Sequence, residues 1–383
     1  MTTIHSVRLV DGASIVDDAW VRFAEGLVVE SGTGTGWQER PDAATAVDGS
    51  ALAGAGALLT PGFIDLHGHG GGGFSYDDGP DAIRAARALH RSHGTTRAVV
   101  SLVTAPVETL ERQVAAIADL AATDPDVLGS HLEGPFLDPG HKGAHDPSLL
   151  REPLPASVER LLAAGRGTVR QVTLAPELPG GLDAVRLIVA AGAAAAVGHT
   201  DADAAQARAA FDAGATIVTH AFNAMRPLHH RDPGPVGAAA SDERVTLEVI
   251  ADGVHLDPAV VRIAFAAAPG RVALVTDAMA AAGAPDGRYD LGPLAVDVVD
   301  GVARLAGGGA IAGSTLTQDA ALRVAVSAGV PLTEAVAALT SVPARAIGRQ
   351  ADLGRMTAGA MADAVLLSAD LNVRAVWTAG GRD

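Results

Sequence analysis

The sequence predicts an α/β protein in which a closed barrel of eight βα units carries a small β domain built from both ends of the chain. Apolar, β-branched segments alternate with alanine-rich amphipathic segments through the middle of the chain, which is typical of a parallel sheet covered by helices. Short β-like runs without helical periodicity occupy both ends. A length of 383 residues accommodates one large α/β domain and a smaller partner.

The two ends of the chain have the same β-like character. Residues 1–56 contain runs such as SVRLVDG and LVVESGTG, which are separated by turns. Residues 351–383 contain the similar stretch ADAVLLSADLNVRAVWTAGG. We therefore expect these two segments to assemble into one β-sandwich domain.

Residues 57–350 are predicted to form the barrel. Amphipathic segments such as DAIRAARALHRS separate most of the strand candidates. Eight βα units over this length are typical of a TIM-type (β/α)8 barrel, and an open doubly wound sheet is the alternative. The eight strand candidates are residues 62–67, 96–104, 127–133, 169–177, 193–200, 215–223, 245–255 and 271–278.

Composition excludes several classes of partner and ligand. A formal net charge of −16 argues against a nucleic-acid partner, whose phosphates are bound by basic faces, but it leaves a small anionic substrate possible. The chain has no cysteine, so any metal must be held by His, Asp or Glu. The sequence contains no apolar run of membrane-spanning length and its N-terminus lacks the pattern of a signal peptide. We expect a cytoplasmic protein with no membrane partner.

Polar residues recur where the apolar strand candidates end. In a barrel of this kind the carboxyl ends of the strands converge on one rim, where catalytic groups gather. One such residue alone is usually a satisfied polar group, but six strands with the same feature predict a shared site. These residues are His67, His69, His131, Glu133, His199, His220, His255 and Asp277.

Two sets of strand-end residues have the spacing of metal ligands. His67 and His69 are two residues apart and share one face of an extended strand, although a histidine pair in a glycine-rich turn is the structural alternative. Glu133, His199 and His220 come from three different strands. One carboxylate and two imidazoles, with an open position for water, are a common catalytic zinc arrangement.

Two further residues bear on the chemistry. Asp277 is predicted to move a proton beside the metal, whereas a helix N-cap is its structural alternative. Lys142 is the only lysine in the chain and lies beyond a strand, in a loop rich in proline and glycine. This position gives Lys142 no defined role.

Seven motifs, taken in order, resemble one family. The motifs are PGFIDLHGHGG, HLEGPF, KGAH, VGHTDA, THAFNAM, IADGVH and LVTDAM. Together they resemble the N-acetylglucosamine-6-phosphate deacetylase family of the amidohydrolase superfamily, over about residues 57–350. The resemblance implies the barrel and the β-sandwich domain, and a hydrolase that converts N-acetylglucosamine 6-phosphate into glucosamine 6-phosphate and acetate.

The resemblance also implies roles for the residues of the reacting centre. Glu133, His199 and His220 match the family's main metal ligands, and Asp277 matches its general acid and base. His145 matches a histidine that contacts the substrate and polarises the acetamide carbonyl. The implied cofactor is a divalent metal, with Zn²⁺ favoured and Fe²⁺, Mn²⁺ or Co²⁺ also suited to these ligands. Because this chain keeps both histidines of the HxH motif, one or two ions per subunit are expected.

The remaining implied residues bind substrate. Asn223, Ala224 and His255 match positions that hold the sugar phosphate, and Ile311 matches a position near the acetyl pocket. Arg231 resembles an arginine that reaches the phosphate site of the neighbouring subunit, which implies a homodimer.

Three competing functions stay open. The chain could be another amidohydrolase acting on a cyclic amide or a different N-acyl compound, such as a dihydroorotase, a hydantoinase or a deaminase. Many of those enzymes bridge two metals with a carbamylated lysine at a strand end, a place that Lys142 does not occupy. The chain could also be a non-catalytic sensor of amino-sugar phosphates, or it could prefer the galactosamine epimer.

Overall fold

The structure is a computed structural model that describes residues 1–382, so Asp383, the last residue of the predicted 351–383 segment, lies outside the described residues. In the described chain, eight parallel strands pair in sequence order to form one sheet. The prediction of eight barrel strands is confirmed. The strands are Phe63–Asp65, Thr95–Leu102, Val127–Glu133, Val169–Leu174, Ala194–Val197, Ile217–Val218, Thr246–Val249 and Val272–Leu274.

Backbone hydrogen bonds just beyond the first and eighth strands join the two edges of this sheet. The Asp277 amide donates to the His67 carbonyl at 2.8 Å, and the His69 amide donates to the Ala278 carbonyl at 2.7 Å. Behind them the buried Asp65 carboxylate accepts from the Thr276 hydroxyl at 2.6 Å. Closure at this point excludes the open doubly wound sheet.

A helix follows each barrel strand and covers it. In Pro80–Ser92 the buried residues are Ile83, Ala86, Arg87 and His90, a spacing that forms one stripe along the helix. The α-helices of residues 1–382 are Gly49–Ala53, Pro80–Ser92, Val107–Ala121, Pro155–Ala164, Gly181–Ala190, Ala204–Asp212, Gly234–Ala240, Pro258–Ala267, Gln318–Ser327, Leu332–Ala337 and Ser341–Ala346. None of the helices in this range has the length and apolar character that a bilayer crossing requires.

Both ends of the chain contribute to a second eight-stranded sheet. The two ends of the chain also meet through backbone hydrogen bonds, since the Val28 amide donates to the Ala360 carbonyl and the Gly359 amide donates to the Val28 carbonyl. The core of this domain includes Phe23 and Trp377, one from each end. The predicted β domain is thus one continuous sheet around a shared core, and its boundaries at residues 56 and 351 stay a prediction. The strands are Thr2–Asp11, Ser14–Ala24, Leu27–Thr33, Val47–Asp48, Leu58–Pro61, Ala364–Leu367, Val373–Thr378 and Gly381–Arg382.

Two smaller β elements lie at the rim of the barrel. Gly70–Gly71 and Phe74–Ser75 form a hairpin directly after His69. Gly287–Leu291, Leu294–Val299 and Val302–Leu305 form an antiparallel three-stranded sheet after the eighth barrel strand. The loop that follows this sheet brings Ile311 to the cavity at the carboxyl ends of the barrel strands.

A buried ion pair joins the barrel to the terminal sheet. Arg97 lies in the second barrel strand, and Asp363 directly precedes a strand of the terminal sheet. The guanidinium donates from Nε to Asp363 Oδ2 at 2.6 Å and from its terminal nitrogen to Oδ1 at 2.8 Å. The two side chains are only 2% and 7% exposed, so water cannot replace either partner.

We expect Asp363→Asn to lower the free energy of unfolding by about 3 kcal/mol, because it leaves a buried guanidinium without its counter-charge. Urea denaturation monitored by circular dichroism measures this difference. Asp17→Asn is the matched control, because Asp17 pairs with Arg8 on the surface at 78% exposure and its removal should leave the midpoint unchanged. Equal midpoints for all three proteins would contradict the prediction.

Candidate metal centre and active site

The carboxyl ends of the barrel strands surround a cavity of about 380 Å³. Its lining combines imidazoles and carboxylates from the strand ends with apolar residues from the later loops. The lining residues include His69, Glu133, His145, His199, His220, Asn223, Ala224, His255, Asp277 and Ile311. The structure therefore brings these sequence-predicted residues to one place, while His67 is fully buried beside them.

Glu133 lies at the centre of the cluster. Its Oε1 is 3.1 Å from His199 Nε2 and 3.0 Å from His220 Nε2. Its Oε2 is 3.0 Å from His69 Nε2 and 3.3 Å from His67 Nε2. The two oxygens of one carboxylate thus face two separate pairs of imidazoles.

Asp277 lies on the side of the first histidine pair. Its Oδ1 is 3.2 Å from His69 Nε2 and 3.4 Å from His67 Nε2. Burial alone would raise the pKa of Asp277, but the neighbouring imidazoles outweigh it and lower the pKa to about 2. At neutral pH this carboxylate is therefore ionised and able to accept a proton.

His145 has a defined tautomer. The Thr104 backbone amide donates to His145 Nδ1 at 3.4 Å, so this nitrogen is an acceptor. Burial, together with the nearby His199, lowers the pKa of His145 to about 3, which leaves the ring neutral at pH 7. A neutral ring with an accepting Nδ1 has its proton on Nε2. This N–H lies 3.6 Å from Glu133 Oε2, at the cavity wall.

Several of these residues adopt a backbone conformation that is rare outside glycine. The φ angles are +49° at His199, +27° at His220, +48° at Ala224 and +48° at Asp277. Left-handed backbone at such residues costs on the order of 1 kcal/mol each and clusters at functional sites. The chain turns sharply at the strand ends, which directs these side chains into the cavity.

The predicted substrate-binding residues fall into two groups. Asn223, Ala224, His255 and Ile311 line the cavity. His255 Nδ1 lies 2.7 Å from Asp252 Oδ2, and although burial opposes it, this carboxylate raises the pKa of His255. Arg231 is exposed and outside its own chain's cavity, and its guanidinium has no hydrogen-bond or ion-pair partner within residues 1–382.

Lys142 does not line the cavity. Its ammonium lies 3.4 Å from the carbonyls of Gly143 and His145, so its hydrogen bonds within residues 1–382 go to the backbone of its own loop. The possible metal ligands around Glu133 in the described chain are histidines and carboxylates.

The strand-end pattern of the sequence did not identify Glu248, and it predicted His131 at the rim with the other site residues. Glu248 is fully buried below the cluster, 3.4 Å from His67 Nδ1, and its signal was an acidic residue inside the β-like strand run VTLEVI. His131 lies deeper in the barrel, where Ser101 and Thr173 occupy both ring nitrogens. It therefore supports the site from beneath.

Comparisons with known proteins agree with this geometry. A sequence model of the amidohydrolase family matches residues 58–382. The chain belongs to the amidohydrolase family. The predicted resemblance to the N-acetylglucosamine-6-phosphate deacetylases within this family is confirmed by individual relatives of the chain.

Two relatives and one structure illustrate the similarity. The chain is 39% identical to N-acetylgalactosamine-6-phosphate deacetylase of Escherichia coli O157:H7, over 98% of both chains. It is 38% identical to N-acetylglucosamine-6-phosphate deacetylase of Vibrio furnissii, over 84% of this chain and 82% of that protein. A mutant of N-acetyl-D-glucosamine-6-phosphate deacetylase from Mycobacterium smegmatis, solved in complex with N-acetyl-D-glucosamine-6-phosphate, superposes with a TM-score of 0.93 at 45% identity, over 100% of this chain and 98% of that one.

The amidohydrolase family implies a divalent metal, and the cluster fits one. The facing Nε2 atoms are 3.1 Å apart in the pair His67 and His69, and 3.0 Å apart in the pair His199 and His220. Two imidazole nitrogens at such distances need a proton or a cation between them. Burial opposes protonation, yet Asp277 and Glu133 raise the pKa of His69 to about 9. Without an ion, protons on the imidazoles thus balance the charge of Glu133 and Asp277. A bound cation would balance the same two carboxylates.

We expect the ion-free amidohydrolase to lose stability as the pH rises from 6.5 to 9. The pKa of His69 is higher in the folded protein, at about 9, than its ordinary value of 6.5, so the associated stability is complete below pH 6.5 and disappears through pH 9. Its size is on the order of 3 kcal/mol. Thermal melting of chelator-treated protein across this range measures the loss.

Ion-loaded protein is the control for this pH dependence, because a bound cation replaces the protons and should flatten the curve. In the ion-free state, the melting temperature of His69→Gln should also depend less steeply on pH. An ion-free protein whose melting temperature stays level between pH 6.5 and 9 would contradict the assignment of protons to this cluster.

Proposed function

We propose that this chain hydrolyses the acetamide of N-acetylglucosamine 6-phosphate, releasing acetate and glucosamine 6-phosphate. The observation that carries this function is the position of Glu133, whose two oxygens face two histidine pairs beside Asp277 in one cavity. The predicted enzyme class, a hydrolase of a linear amide, is confirmed by relatives that are named as amino-sugar-phosphate deacetylases. The metal, the residue roles and the assembly are our proposals.

The donor set favours two divalent ions per chain. Glu133, His199 and His220 would hold one ion, and His67 with His69 would hold a second, with Glu133 shared between them. Zn²⁺ suits these nitrogen and oxygen donors, as do Fe²⁺, Mn²⁺ and Co²⁺. A bound ion supplies Lewis-acid activation of water and of the acetyl carbonyl.

Asp277 would move the proton of the reaction. Its ionised carboxylate accepts a proton from the attacking water as the oxygen bonds to the acetyl carbon. The same carboxyl group then gives this proton to the amide nitrogen as the C–N bond breaks. The second proton of the water passes from the nascent acetic acid to the amine, so the products are acetate and the protonated amine, and atoms and charge balance.

His145 would stabilise the oxygen of the acetyl group. Its Nε2–H points into the cavity from a ring held by Thr104. Hydrogen bonding strengthens as the carbonyl oxygen becomes an oxyanion, and one such preorganised donor contributes about 3 kcal/mol to the rate.

The sugar phosphate would bind to further residues of the cavity lining. Asn223, Ala224 and His255 line the cavity, and Ile311 lies on a loop that would contact the acetyl group. Arg231, whose guanidinium has no partner within residues 1–382 of its own chain, would reach the phosphate site of a neighbouring subunit in a homodimer. Guanidinium geometry suits phosphate, which gives an acidic chain a local anion site.

N-acetylgalactosamine 6-phosphate is the second candidate substrate. The specific observation in its favour is the 39% identity to a deacetylase of that epimer over 98% of both chains. Parallel measurement of kcat/KM for the two epimers decides between them. A cytoplasmic location stays a prediction.

A lysine-bridged amidohydrolase and a non-catalytic sensor both receive less support from the site. A bridging carbamylated lysine needs an amine in the cluster, whereas the Lys142 ammonium donates to carbonyls of its own loop. A sensor without activity would have no need for the ionised Asp277 next to complete ligands. Release of acetate from the phosphorylated substrate tests both of these functions directly.

We expect Asp277→Asn to lower kcat by at least about 100-fold, because the amide cannot carry the proton. Coupled detection of acetate measures turnover, and metal analysis should show the same ion content as the unchanged protein. Asp257→Asn is the control, since Asp257 only caps a helix through the Ala259 amide and Asn caps equally well. Near-normal turnover, or loss of the ions, would refute the role of Asp277.

We expect Arg231→Gln to raise KM for N-acetylglucosamine 6-phosphate about 10-fold or more, with a small effect on kcat, because it removes phosphate binding only. The unphosphorylated sugar should show no such change. Arg262→Gln, an exposed arginine on helix Pro258–Ala267, controls for loss of surface charge. Sedimentation analysis should show a dimer; a fully active monomer would exclude the shared site.

A further inference from the structure

Glu248 is a fully buried carboxylate in the seventh barrel strand. Its exposed fraction is 0%, and its strand neighbours Leu247 and Val249 are apolar and equally buried. Burying a carboxylate costs several kcal/mol unless charged or hydrogen-bonding partners offset it. The position therefore needs an explanation that packing does not supply.

The two oxygens of Glu248 have different surroundings. Oε1 accepts a hydrogen bond from Gln171 Nε2 at 2.8 Å. Oε2 lies 3.4 Å from His67 Nδ1. Neither of these last two atoms has a hydrogen-bond partner in the described chain, so their contact is an ion pair, and His67 is the only ionisable group that pairs with Glu248 there. Two otherwise unsatisfied buried atoms thus face each other.

The His67 ring is also held from the side. His131 packs edge-on against it, with ring centroids 4.6 Å apart and an angle of 87° between the rings. Ser101 and Thr173 fix His131 through its two nitrogens. Because His131 is fixed in this way, it supports the orientation in which the His67 ring faces Glu248.

Glu248 distinguishes His67 from the other imidazoles of the cluster. The Nδ1 of His199 donates to the His141 carbonyl at 2.9 Å. The Nδ1 atoms of His69 and His220, like that of His67, have no hydrogen-bond partner in residues 1–382, but the ion pairs of His69 and His220 run through Nε2. His67 is therefore the cluster histidine with a carboxylate behind its ring.

We propose that Glu248 is a positioning residue that holds His67 with its proton on Nδ1, so that Nε2 faces the ion shared with His69. A carboxylate behind a ligating imidazole fixes the ring and increases the basicity of its free nitrogen, and such partners are worth roughly 10- to 100-fold in metal affinity. The inference rests on the proposed metal-dependent function and adds a residue that acts through His67 without touching substrate.

The test compares the unchanged protein with Glu248→Gln, which keeps the shape and removes the charge. Two readouts are independent of activity. The first is the number of Zn²⁺ ions per chain as a chelator is titrated into the Zn²⁺-loaded protein. The second is anomalous diffraction at the zinc absorption edge. In Glu248→Gln we expect the ion at His67 and His69 to be removed by a chelator concentration roughly 10- to 100-fold lower than in the unchanged protein. The ion at Glu133, His199 and His220 should be retained.

Two further variants separate positioning from folding. Glu248→Asp keeps the carboxylate and should recover part of the affinity. Asp126→Asn removes another buried carboxylate, 4% exposed and paired with Arg91 outside the cluster, and it should lower stability without changing ion content.

The outcomes of this test are distinct. Unchanged affinity in Glu248→Gln, equal loss of both ions, or an unchanged protein that binds no ion at His67 and His69 would each overturn the role of Glu248. An unchanged protein without any ion that still releases acetate would instead overturn the proposed metal dependence.

Discussion

Closure of the barrel between its first and eighth strands is the constraint on which the candidate site depends. The amide of Asp277 donates to the His67 carbonyl, and the amide of His69 donates to the Ala278 carbonyl. Asp65 reinforces this seam through Thr276, 211 residues away in sequence. Because the seam fixes the ends of both strands, the first histidine pair and the Asp277 carboxylate must face the same space. The site forms only when the barrel is complete.

The seam also brings negative charges together in the barrel interior, where they are unfavourable without positive charge nearby. Glu133, Asp277 and Glu248 are all buried within one cluster, and their mutual repulsion needs positive charge nearby. Without an ion, protons on imidazoles such as His69 supply it. A cation supplies it more effectively, because it binds several donors at once. The same electrostatic requirement thus stabilises the folded barrel and creates affinity for a metal.

Much of this arrangement could be predicted from the sequence. The eight strands, and the polar residues at their ends, followed from apolar runs that stop at His, Glu or Asp, since such ends converge in a barrel. Glu248 could not be assigned in this way, because it lies inside a strand and its partner His67 is 181 residues away. The tautomer of His145 was equally hidden, because it depends on a backbone amide of Thr104. The continuity of the terminal sheet likewise depends on contacts between residues far apart in sequence.

An acidic chain can still recognise an anion, because surface charge and cavity charge act over different ranges. The net charge of −16 is spread over the surface, where salt screens it within about 8 Å. Inside the cavity, His255 would be the local donor, and although burial opposes it, Asp252 behind the ring raises the pKa of His255 and favours its charged form. In the proposed dimer, Arg231 of the neighbour would add a second cation. Phosphate selection then depends on one or two oriented groups, and the overall charge of the protein sets only the long-range field that the substrate crosses.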